Sequence, residues 1–132
     1  MPFQEIQHTA DRSVKVWARD LPSFFIEAAR AMNALSGIRL QSGPRALRTF
    51  ETTGPDAESL LVAFLSELLF AAEMENQGFD EFEVTVGRES LHVRMTGAPL
   101  LKIEKAIKAV TYHGLQIRRE GSMYTAEIVF DV

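Results

Sequence analysis

The sequence predicts an α+β fold, a two-layer sandwich of two main helices on a largely antiparallel β-sheet. Three observations carry that reading. Two long stretches repeat apolar residues at helical spacing, and several shorter ones alternate with a period of two. Hairpin signals fill the second half of the chain, without the regular alternation of strand and helix that a parallel sheet requires.

The elements follow in order. A strand over Phe3 to Ile6 leads into a loop at His8-Thr9-Ala10-Asp11, and Val14, Val16 and Ala18 then alternate with Lys15, Trp17 and Arg19 as a second strand. Asp20 stands at an N-cap position and Pro22 is tolerated in a first turn. Phe24, Phe25, Ala28, Ala31, Met32 and Leu35 keep helical spacing until Gly37 supplies a stop. Leu40 to Arg45 reads as a polar loop, and Ala46 to Thr53 as a third strand ended by Gly54-Pro55. Asp56 caps a second helix with a wide apolar face built from Leu60, Leu61, Phe64, Leu65, Leu68, Leu69 and Ala72, fraying near residues 76–78.

Phe82, Val84 and Val86 pair with Leu91, Val93 and Met95 as a hairpin turning at 87–90. Ala98-Pro99 opens a segment with two readings. Ile103, Ile107 and Val110 fit a short helix, whereas Lys108 to His113 can begin a strand, and a helical turn is the expectation. Leu115 and Ile117 precede a turn at Glu120-Gly121-Ser122, and Tyr124, Ala126, Ile128, Phe130 and Val132 share one face of a last strand.

With 132 residues, 46% of them hydrophobic, the chain is expected to be one domain over 1–132 that buries an ordinary core. No cysteine is present, which excludes zinc-thiolate sites, iron–sulfur clusters and a cysteine nucleophile. A net charge of −4 argues against strong independent binding of nucleic acid through its phosphates. The apolar run Leu60 to Ala72 contains Ser66 and Glu67 and falls short of the roughly 20 residues that cross a bilayer, so no membrane association is expected. The opening residues have no basic and apolar leader pattern, which makes the cytoplasm the expected location.

The three histidines, His8, His92 and His113, lack the spacing of a zinc site. His92 falls on the polar face of a hairpin strand, while His8 and His113 lie where elements change direction and are open to a structural or a functional role. No Gly-x-Ser-x-Gly elbow and no phosphate-cradling glycine loop is present. Six basic residues against one acidic residue between Arg94 and Arg119 make two readings available for Lys102, Lys105 and Lys108. They form an ordinary solvated face, or they turn positive charge toward a phosphate or an acidic partner. Asp11, Asp131 and a terminal carboxylate at Val132 offer three anionic groups. If they converge, a hard cation such as Ca²⁺, Mg²⁺ or Mn²⁺ must lie between them; otherwise Asp11 caps a turn and Asp131 points outward from its strand.

Taken together, several of these segments resemble the archease family. They are Phe3-x-x-Ile6-x-His8-Thr9-Ala10-Asp11, Phe25-Ile26-Glu27-Ala28-Ala29, Leu65-Ser66-Glu67-Leu68-Leu69-Phe70, Ile107-Lys108-Ala109-Val110-Thr111-Tyr112-His113 and Phe130-Asp131-Val132. The resemblance implies a non-catalytic protein cofactor of the GTP-dependent tRNA-splicing RNA ligase that joins ends carrying a 3′-phosphate or 2′,3′-cyclic phosphate. Such a protein promotes guanylylation of the ligase and its multiple turnover, GTP being used by the ligase. The resemblance further implies a divalent-cation site at Asp11, Asp131 and Val132, and a role in activation or partner contact for Lys108, with His8 and His113 belonging to the same motifs. Two departures from the family pattern stand out. Arg12-Ser13 follows Asp11 where Ile-Gly is common, which is expected to set a charge beside the cation site. The segment 98–106 is shortened and lacks a Gly-Glu pair and a histidine. The competing readings are a stand-alone metal-dependent phosphohydrolase using Asp11, Asp131 and Lys108, and a chaperone-like interaction module.

Overall fold

The computed structural model describes residues 2–7 and 11–132; His8, with its expected loop partners Thr9 and Ala10, lies outside the described residues. In chain order the elements are β1 (Phe3–Gln7), β2 (Asp11–Ala18), α1 (Leu21–Ser36), β3 (Arg39–Leu40), β4 (Ala46–Thr53), α2 (Ala57–Glu75), β5 (Gln77–Val86), β6 (Ser90–Lys102), β7 (Ala109–Val110), β8 (Arg118–Glu120) and β9 (Met123–Asp131). The class is the expected α+β, with the antiparallel strands divided between two sheets. One sheet runs β1-β2-β9-β7, with β8 also on β9; in the other, β6 pairs with β3, β4 and β5.

Both helices begin as their sequences dictate. The Asp20 carboxylate accepts the Ser23 N–H at 2.7 Å, and that of Asp56 accepts the Ser59 N–H at 2.8 Å. These bonds stabilise the ionised form and hold both carboxyl groups below the ordinary aspartate range. Gly37 closes α1 with a left-handed φ of 63° that costs glycine nothing, and its N–H donates to the carbonyls of Asn33 and Ala34. Asn76 does the same for α2 at φ 55°, so α2 stops at a defined cap after Glu75 and β5 starts at once.

The core is a single cluster to which both helices and both sheets contribute. Phe25 of α1 stacks on Phe64 of α2 at 6.4 Å between centroids, and Phe82 of β5 meets Phe64 edge-on at 5.8 Å. Val14 and Val16 of β2, with Ile128 and Phe130 of β9, turn inward and are fully buried. Period-two geometry therefore sends Asp11, Ser13 and Lys15, and likewise Glu127, Val129 and Asp131, to the opposite face.

Three expectations change. Asp11 is the first residue of β2 and pairs with β9; it does not belong to a loop. The paired part of β5 begins at Gln77, five residues before the alternation of Phe82, Val84 and Val86, because the register shifts between Phe79 and Glu81 and the bulge resets the alternation. The helical turn expected beyond Pro99 is not formed. β6 continues to Lys102, and residues 103–108 cross as an irregular strap before β7. The strap's main-chain donors are committed elsewhere: Glu104 and Lys105 both donate to the Ser36 carbonyl at 3.0 Å, and Lys108 donates to that of Asp131 at 2.8 Å. A helix over 103–110 would need the Lys108 N–H for the carbonyl of Glu104. Ile103 and Ile107 keep their four-residue spacing because both line one cavity beneath the strap.

β6 also crosses β5 closely. A side chain on Gly97 would run into the Gly78 carbonyl, so this approach is open only to glycine.

Candidate metal and partner site

Strand register builds the site. β2 and β9 are antiparallel, and Asp11 lies directly opposite Asp131. Directly opposed residues project from the same face of a sheet, with Cβ atoms about 4.5–5.5 Å apart. Two carboxylates in that relation repel, and a divalent cation between them turns the repulsion into attraction, so the pair fits a hard cation with oxygen ligands. Among the described residues no group of three or more His, Cys, Asp and Glu side chains is placed to hold a metal. Among the described side chains the pair therefore supplies two carboxylates, fewer ligands than a divalent cation takes. Val132 follows Asp131 directly and is half-buried.

β7 sits on the other side of β9, with Ala109 opposite Asp131 and Val110 opposite Phe130. The Lys108 N–H on the Asp131 carbonyl fixes this end of the strap, and it places an exposed lysine at the sheet end that carries the two carboxylates. Sequence positions 11, 108 and 131 are therefore brought together. The other two lysines of the basic run divide from it: Lys105 is anchored through its main chain at the end of α1, and Lys102 lies 3.8 Å from Glu104.

His113 is placed differently. It sits exposed in a turn closed by the Leu115 N–H on the Tyr112 carbonyl at 3.0 Å, with Gly114 at φ 65°. Among the described residues no hydrogen bond or ion pair links it to Asp11 or Asp131. The turn is secured on both sides by other groups. Thr111 donates to the Val129 carbonyl at 3.0 Å, and the Glu58 carboxylate, in the first turn of α2, accepts the Ile117 N–H at 2.8 Å. The only sequence signal for Glu58 is an acidic residue in a first helical turn, which does not foretell its bond to Ile117.

Arg12 does not set its charge beside the carboxylate pair. It lies opposite Phe130, on the helix-facing side of the sheet, and its guanidinium bonds Glu5 at 2.7 Å. The side of the strand decides this, since consecutive residues of a strand point to opposite faces. Ser13, by contrast, shares the face of Asp11, and its hydroxyl donates to Glu127 at 2.8 Å.

Fold and site define a small α+β protein that presents paired carboxylates and a neighbouring lysine at one end of a sheet. Residues 3–132 match the sequence profile of the archease protein family. The chain is 34% identical to a protein archease of Methanosarcina barkeri, over 98% of this chain and 95% of that one. It is 31% identical to the protein archease of Methanopyrus kandleri, over the whole of both. Its fold is similar, with a TM-score of 0.73, to a Thermotoga maritima structure described as an archease and possible chaperone, at 21% identity over 98% and 96% of the two chains. The same TM-score of 0.73 relates it to the solution structure of Methanobacterium thermoautotrophicum protein 1598, at 26% identity over 99% of each. The chain belongs to the archease family. Among the described residues no helix is long and apolar enough to cross a membrane.

Proposed function

We propose that this archease-family chain is a non-catalytic activator of a GTP-dependent RNA ligase that joins 3′-phosphate or 2′,3′-cyclic phosphate ends, promoting ligase guanylylation and repeated turnover. The observation that carries the reading is the direct opposition of Asp11 and Asp131, with Lys108 bonded to the main chain of Asp131. A Mg²⁺- or Mn²⁺-type ion characteristically takes one or two protein carboxylates and completes its shell with water and substrate phosphates. A pair of carboxylates at a sheet end suits an ion shared with a nucleotide bound by a partner. When bound, the cation supplies charge neutralisation for phosphate oxygens.

In this reading Asp11 and Asp131, together with Val132, hold the cation, and the Lys108 ammonium offers a second positive charge to phosphate or to an acidic surface of the ligase. RNA is held by the ligase, which accords with the net charge of −4. The test mixes equimolar protein with its partner ligase, GTP and Mn²⁺ or Mg²⁺, and follows covalent guanylylation of the ligase. Acceleration that is lost with Asp11→Ala or Asp131→Ala is expected, and an unchanged rate with the unaltered protein would end the proposal.

A further inference from the structure

Beneath the strap lies a cavity of about 290 Å³, walled by Met32 of α1, Leu68 and Leu69 of α2, Leu100 of β6, and Ile103 and Ile107. Its size is at the lower end of ligand pockets and matches a single or fused ring better than a chain-like cofactor. Asn33, Ser36, Glu73 and Lys108 complete the wall, so a mainly apolar surface carries a few polar groups, the usual make-up of a site for a small organic molecule.

Gln77, the first residue of β5, is also in the wall, and its Oε1 is buried without a hydrogen-bond partner. A buried acceptor left unpaired is costly, and native structures seldom keep one without a reason. The terminal torsion of a glutamine is soft, so its amide can turn toward a donor that arrives in the cavity. The roof provides a way in. Residues 103–108 have no regular structure, and their main-chain anchors are the Ser36 carbonyl at one end and the Asp131 carbonyl at the other.

We propose that this cavity binds a small apolar ring compound carrying one N–H or O–H donor, of the indole or phenol class, with Gln77 Oε1 as the acceptor. Lys108 belongs to the cavity wall, and its main-chain N–H forms the Asp131 anchor, so an occupant that lifts the strap also loosens that anchor. The site stands independently of the ligase reading, because its ligand is recognised by the cavity alone.

The experiment titrates the ¹⁵N-labelled chain with indole and, separately, with indene, which has nearly the same shape and no N–H. Saturable shifts of the amides in 68–79 and 103–108, including Lys108, are expected, with indole binding about five- to tenfold more tightly, the worth of roughly one buried hydrogen bond. Gln77→Met should bring the two affinities together, and Ala72→Phe, which narrows the cavity, should weaken both. If Ala72→Phe fails to fold, the comparison of the two probes on the unaltered chain still decides. Absence of saturable shifts in those segments, or indene binding as tightly as indole, would overturn the proposal.

Discussion

The main-chain N–H of Lys108 donates to the carbonyl of Asp131 at 2.8 Å, which ties the irregular strap to the strand bearing one of two opposed carboxylates. This bond explains how a basic residue from a segment without secondary structure keeps a fixed place relative to Asp11. It also separates main-chain from side-chain roles, since changing the lysine side chain leaves the tether intact.

Lys108→Ala should therefore retain the fold and thermal midpoint of the unaltered chain, since the side chain is exposed and such changes usually stay within about 0.5 kcal/mol. In the proposed role, its stimulation of ligase guanylylation should fall. Arg12→Ala provides the contrast, because its charge faces Glu5 across the other side of the sheet. Stimulation should be kept in that variant, measured at matched protein and ligase concentrations.

Asp131→Asn removes one of two like charges that stand directly opposite each other. In the presence of a chelator the variant should be more stable than the unaltered chain by about 0.2–1 kcal/mol, the range of cross-strand pair effects. Added Mn²⁺ or Ca²⁺ should raise the melting temperature of the unaltered chain and leave that of the variant unmoved. Differential scanning fluorimetry reads both effects.

Phe64 is wholly buried between Phe25 and Phe82, whereas Phe70, on the same helix, is 53% exposed. Phe64→Ala should cost about 3–5 kcal/mol, or prevent folding, through lost burial and the cavity left behind. Phe70→Ala should change stability by no more than about 0.5 kcal/mol. Urea denaturation of the two variants gives the comparison.

Asp20 and Asp56 cap α1 and α2, and the bonds from Ser23 and Ser59 lower their pKa values in the folded state. A carboxyl group whose pKa is lower folded than unfolded binds more protons in the unfolded chain. Its stabilisation is full above the unfolded value of about 3.9 and is lost as pH falls through the folded value. Urea midpoints should decline below about pH 4, and Asp20→Ala should decline less steeply there while losing about 1 kcal/mol at neutral pH. Equal pH dependence in the two proteins would show that the cap does not contribute.

Glu58→Gln replaces a carboxylate that accepts the Ile117 N–H with a neutral acceptor. Charged acceptors make the stronger bond, so hydrogen exchange at Ile117 and Leu115 should quicken while the helical amides of α2 remain protected.

Local signals made the helices readable. Asp20, Pro22 and Gly37 each do in α1 what their chemistry prescribes, and Asp56 does so in α2. What escaped the sequence depends on pairing between distant segments. Nothing near Asp11 announces that Asp131 will lie opposite it; that convergence was implied by family resemblance and by no spacing rule. The strap reads as helix in sequence because Ile103 and Ile107 imitate a helical repeat, while the decisive acceptors, the carbonyls of Ser36 and Asp131, lie far away in the chain. The side occupied by Arg12 follows from period-two geometry only once Asp11 is known to be in a strand.

The pairing of β2 with β9 closes a loop that contains both helices and the whole of the other sheet. Contacts of such high sequence separation carry a large loop-closure entropy and tend to form late. Asp11 and Asp131 are therefore opposed only where β2 and β9, from the two ends of the described chain, are paired. A cation bound between the two carboxylates would therefore report that the pairing of β2 with β9 is in place.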